Sequence, residues 1–145
     1  MKGHYFKYLT AGPEDSRWGL YLKVAGYASN PPGAPYPMQR HPSEYHFDWN
    51  TGRVLNEYQI LYITGGTGVF ETRQLRREIV PGMVFMVFPG QWHRYRPHHA
   101  TGWDEYFLGF HGHIVSEVCE RPFFRQANCA RNIGHNIDIL TDIQE

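Results

Sequence analysis

Short hydrophobic runs alternate with polar positions along most of this chain, and glycine or proline ends nearly every run. Trp18, Leu20, Leu22 and Val24 share one face of a strand predicted over residues 18–28. The next nine positions, SNPPGAPYP, hold four prolines and read as a rigid loop. In SEYHFDW, residues 43–49, Tyr45, Phe47 and Trp49 alternate with Glu44, His46 and Asp48 as in a half-buried strand. An extended stretch is predicted from Arg53 to Ile63. It ends at TGGTG, where three glycines suit a tight reversal. Residues 69–80 read as a hairpin turning near Gln74, and MVFMVF, residues 83–88, as a strand buried on both faces. QWHRYRP (91–97) and WDEYFLGF (103–110) complete a strand count typical of a sandwich or barrel.

After Phe110 the period changes. Val115, Val118 and Cys119 fall at helical spacing in residues 113–120, and Pro122 interrupts the run. Asn136 is placed to cap a last helix carrying Ile137, Leu140 and Ile143. That helix reaches Glu145 after fewer than three turns. It reads as an element cut short, which predicts that the natural chain continues.

The 145 residues suffice for one core. Aromatic residues reach 16%, so rings must fill the sheets or line a surface for stacking. The 14 basic and 14 acidic side chains cancel, which disfavours a whole-surface attraction to DNA or an anionic membrane. Cys119 and Cys129 have no paired metal or redox spacing, and a reducing, cytoplasmic setting is expected for them. No apolar run is long enough for a membrane span, and the start lacks a secretory pattern.

GGTG lacks the lysine and glycine spacing of a phosphate loop, and the chain has neither G-x-S-x-G nor C-x-x-C. Asp104 and Glu105, the one adjacent carboxylate pair within a predicted strand, point to opposite faces of it. No catalytic residue is assigned. A polar-ligand pocket is better supported, because a sugar is met by rings over its C–H faces and by charged groups on its hydroxyls. The inward-facing candidates are Phe47, Trp49, Arg53, His93, Tyr95, Glu105 and Phe107. Phe47 and Phe107 equally suit a plain core, and Arg53 a solvated strand edge. Trp92, opposite His93, is expected to pack between sheet and helix, with an interface contact as the alternative.

The runs RVLNEYQILYITGGTGVFET, VPGMVFMVFPGQWHRYRP and TGWDEYFLGFHG resemble the N-terminal sensor domain of the AraC family of bacterial transcription regulators. The likeness covers about residues 18–145. It implies a mainly β, cupin-like jelly-roll barrel followed by C-terminal helices: an arm over residues 1–17, a ligand-binding barrel over 18–110, and a helical dimerisation or linker region over 111–145. A DNA-binding domain would follow. Metal-bearing cupins carry an H-x-H motif and a further histidine after a P-x-G turn. Here Asp48 follows His46 two residues on and only His93 fits, so neither metal nor cofactor is expected. In the arabinose-type sensor the sugar-holding positions correspond to Ala28, Trp49, Tyr95, Glu105 and Phe107, of which only Tyr95 is unchanged. The arm closes over the ligand in that relative.

The resemblance implies a sugar-responsive regulator's sensing and dimerising domain, not an enzyme. Its partners would be a mono- or oligosaccharide, a second copy of itself, and DNA only through the missing domain. Two alternatives stand beside it: a small cupin sugar isomerase or epimerase, and a ligand-free dimerisation platform.

Overall fold

A computed structural model describes residues 3–36, 48–121 and 125–135. The strands are β1 (His4–Tyr8), β2 (Tyr21–Asn30), β3 (Arg53–Val54), β4 (Tyr58–Gly66), β5 (Gly68–Thr72), β6 (Arg76–Ile79), β7 (Met83–Val87), β8 (Trp92–Pro97), β9 (Trp103–His111) and β10 (Ala130–Asn132). Two short helices, α1 (Pro13–Arg17) and α2 (His113–Cys119), flank the main run of strands.

Pairing is nested. β2 pairs with β9, β3 with β8, β4 with β7 and β5 with β6, all antiparallel. This is a long hairpin folded over on itself, with β9–β4 and β8–β5 contacts knitting the halves into sheets ordered β1-β2-β9-β4-β7-β10 and β3-β8-β5-β6. The architecture is a jelly roll. Between the sheets lies a core that includes Leu61, Ile63, Phe70, Ile79, Phe85, Val87 and Trp103, all nearly or fully buried.

Several sequence expectations shift. Trp18 caps the C-terminus of α1 and is 78% exposed, and Leu20 and Leu22 are exposed as well. A register shift between Leu22 and Val24 breaks the alternation, so the buried row of β2 is Val24, Gly26, Ala28 and Asn30. The stretch from Arg53 to Ile63 is two strands in different sheets. TGGTG does not form a hairpin: β4 ends in the larger sheet and β5 begins in the smaller one. Gly66, at φ 76°, lets the chain turn this corner against the backbone of Gly102 and Trp103. In β7, buried Met83, Phe85 and Val87 alternate with half-buried Val84 and Met86.

The hairpin near Gln74 forms as expected, with the Thr72 hydroxyl accepting from the Gln74 and Leu75 amides. Helix α2 also forms, burying Val115. His4–Tyr8 of the arm add to the larger sheet's edge beside β2. Most of the strand expected over 43–49 and all of the helix expected after Asn136 lie outside the described residues. Asp48 and Trp49 begin a turn closed by the Asp48–Gly52 bridge, with Asp48 Oδ1 accepting from the Asn50 amide at 2.8 Å.

Candidate functional site

Strand alternation turns His93 and Tyr95 of β8 toward the barrel interior, and Trp103, Glu105 and Phe107 of β9 toward it from the other sheet. Arg53, paired directly across from His93, reaches over both β8 side chains. Its Nε donates to His93 Nε2 at 3.0 Å and its Nη2 to the Tyr95 hydroxyl at 2.6 Å. Arg53, His93, Tyr95 and Glu105 are therefore drawn into one polar group, with Tyr36 completing it.

His93 is fully buried, and its Nδ1 lies 3.2 Å from the Gln91 carbonyl oxygen. The proton therefore belongs on Nδ1, leaving Nε2 to accept from Arg53. Burial, reinforced by the Arg53 charge, lowers the imidazole to about 3, so His93 is neutral at physiological pH.

Glu105 is 6% exposed, and burial raises its carboxyl to about 7. The Tyr36 hydroxyl, the Trp103 indole N–H and Arg53 pull the other way by favouring the carboxylate. Tyr36 donates to Glu105 Oε2 at 3.0 Å. Burial likewise lifts the Tyr95 phenol to about 12 despite the opposing Arg53 charge. The Trp103 Nε1 proton is buried without a hydrogen bond of normal geometry among the described residues, although it lies close enough to act on Glu105.

Rings close the space around this group. Phe70 stacks on Phe85 with centroids 4.5 Å apart, Phe85 meets Tyr95 at 5.3 Å, and the Tyr36 ring stands edge-on to Trp103 at 6.0 Å. Chemically the site offers a carboxyl poised between its two protonation states, a permanent guanidinium, two phenols and an indole donor. That set suits a neutral, hydroxyl-rich molecule with apolar faces.

The remaining sequence candidates lie elsewhere. Phe107 faces inward but packs against Phe6 at 5.6 Å, over Gly26, and belongs with the core beside β1. Trp49 sits on the outer face of the smaller sheet, its ring under the guanidinia of Arg94 at 4.3 Å and Arg96 at 3.9 Å. The turn that carries it, in place of the expected strand, swings its side chain outside the barrel. Phe47 lies outside the described residues. Trp92 packs on the Thr51–Gly52 turn rather than a helix, donating to the Thr51 carbonyl at 2.8 Å beneath Arg73. Sequence reasoning missed Tyr36 and Trp103. Trp103 was within reach, two residues before Glu105 on the same face. Tyr36 sits in a proline-rich loop where no periodicity points.

No three His, Cys, Asp or Glu side chains gather as metal ligands among the described residues. Cys129 is buried and Cys119 half-buried, both as free thiols that burial shifts upward. No helix among the described residues is long and apolar enough to cross a membrane.

The AraC-like ligand binding domain family matches residues 23–145. The chain belongs to this family. As an AraC-like ligand-binding domain it has a mainly β, cupin-like fold followed by helix α2, and its family role is to bind a small molecule. That membership argues against catalysis. Among solved structures, a predicted oxalate decarboxylase from Thermotoga maritima is 19% identical with a TM-score of 0.42, over 75% of this chain and 80% of that one. A cupin-like protein from the same organism is 13% identical with a TM-score of 0.36, over 92% and 78%. These likenesses are too loose to inform the ligand of the AraC-like domain. No curated protein sequence matches it.

Proposed function

We propose that this AraC-like domain senses a sugar for a transcription regulator, binding its hydroxyls inside the barrel against Glu105, Arg53, Tyr95 and Tyr36. The observation that supports this is the buried polar group itself. A carboxyl and a guanidinium held among rings are costly in a barrel that exists only to be filled. Glu105 would accept from sugar hydroxyls, Arg53 and the Trp103 indole would donate, and the rings of Tyr95 and Tyr36 would cover a C–H face. His93, neutral and fixed by Gln91, would orient Arg53.

Binding would bias the arm and the helical region beyond Phe110, changing how a homodimer holds DNA-binding domains that follow this segment. No covalent step is involved. A second reading, a filled barrel serving only as a dimerisation platform, draws on the Phe70, Phe85, Tyr95 and Trp103 packing and on Tyr36 already occupying Glu105.

A thermal-melting screen with mono- and disaccharides, with and without chelator, separates the two. A rise with one sugar, insensitive to chelator and lost in Glu105→Gln, supports sensing, since specific ligands stabilise by mass action. Indifference to every sugar favours the filled barrel.

A further inference from the structure

Outside the barrel, loops 31–36 and 97–102 line a cavity of ≈ 380 Å³. Its walls include Pro31, Tyr36, Arg96, His98, His99 and Gly102. We propose that this cavity is an anion subsite, taking a small carboxylate or phosphate group on Arg96 with His98 and His99 beside it.

Charge is the first argument. Arg96 has no acidic partner within salt-bridge distance among the described residues, whereas its neighbours Arg76 and Arg94 both bond Glu71. Partial burial, and after it the like charges of Arg94 and Arg76, lower the Arg96 guanidinium from its usual value, and an anion would offset those like charges. Glu78 is the nearby acid, and it is engaged by His98 Nε2 at 2.7 Å.

Preorganisation is the second. The Arg96 guanidinium carbon lies 3.9 Å from the centre of the Trp49 ring, a cation–π contact that restrains a fork otherwise free to rotate. Trp49 is thus a positioning residue for this outer site. The loops themselves are tied: the Gly33 amide donates to the His99 carbonyl at 2.9 Å, the His98 amide to the Thr67 carbonyl at 2.9 Å, and the Thr67 amide to the Gly102 carbonyl at 3.1 Å. Gly102, at φ 60°, brings loop 97–102 against the Asn30 carbonyl and Pro31 with no room for a side chain. A cavity with walls bonded in this way costs little ordering when a ligand enters.

Tyr36 belongs to both sites, lining this cavity while its hydroxyl bonds Glu105. A sugar bearing an acidic substituent would meet both, with its hydroxyls inside and its anionic group outside.

The test is an amide-resolved NMR titration of the whole chain with inorganic phosphate, galacturonate and, as the uncharged counterpart, galactose. The expected result is saturable movement of the Gly33 and Gly102 amides with phosphate and galacturonate but not with galactose. Arg96→Gln, a change at an exposed side chain, should weaken phosphate binding tenfold or more, as befits a charge-assisted pair. Arg96→Lys should recover part of it. Glu105→Gln should leave phosphate binding intact, which separates this subsite from the interior site and lets either fail alone. Absence of saturable shifts with phosphate, equal shifts with galactose, or unchanged phosphate affinity in Arg96→Gln would each overturn the proposal.

Discussion

The Tyr36 hydroxyl sits 3.0 Å from Glu105 Oε2, giving a buried carboxyl an intramolecular partner in the position a ligand hydroxyl would take. Loop and strand are 69 residues apart in sequence, so this bond ties the mouth of the barrel to its interior. Tyr36→Phe should therefore push the Glu105 carboxyl above its present value of about 7, since the bond favours the ionised form. The pH dependence of Trp103 fluorescence reports this, because the indole lies beside the carboxyl; an unmoved midpoint would contradict the assignment.

Stability should carry opposing signatures of the two buried titrating groups. His93 falls from 6.5 to about 3 on folding, so the unfolded chain binds more protons between those values and stability rises with pH there. Glu105 rises from 4.5 to about 7, so the folded chain binds more protons in that window and stability falls as pH increases. The two offset each other between 4.5 and 6.5. Glu105→Gln should uncover the His93 slope, roughly 1 kcal/mol per pH unit, in urea melts across that range.

Arg53 bridges His93 and Tyr95, and its removal takes a charged donor from both. Arg53→Ala should cost about 2–4 kcal/mol in urea unfolding. Arg53→Lys keeps the charge but cannot span both acceptors, and should fall between. Equal stability of all three proteins would mean the bridge contributes nothing.

Two glycines of similar backbone conformation test how tightly the loops are built. Gly102 and Gly90 have φ of 60° and 75°, but a methyl at Gly102 would fall on the Asn30 carbonyl oxygen while one at Gly90 meets nothing within 4 Å. Gly90→Ala should cost about 1 kcal/mol, the conformational penalty alone. Gly102→Ala should cost clearly more in the same thermal or urea melts, and a matching loss would contradict the close packing of loops 31–36 and 97–102.

The jelly roll was legible because most strands end within two residues of a glycine or proline and because alternation assigns His93, Tyr95 and Glu105 to one face of their strands. What failed did so where alternation stops being a guide. A register shift after Leu22 moved Trp18, Leu20 and Leu22 off the expected buried face. Turn residues suit a hairpin and a corner between sheets equally, so TGGTG was misjudged. Trp49 lies just after the Asp48 bridge, inside a turn that reverses its side chain to the outer face. Tyr36 enters the site from an aperiodic loop, through a contact that only the tertiary fold creates.

The most direct test of an interior ligand site is calorimetric titration of the best-stabilising saccharide into the wild type, Arg53→Lys and Glu105→Gln, with Glu117→Gln on the exposed face of α2 as a control. The account predicts a one-to-one isotherm weakened tenfold or more by either interior change and untouched by the control. Affinity that survives both Arg53→Lys and Glu105→Gln would place the ligand elsewhere and contradict the account.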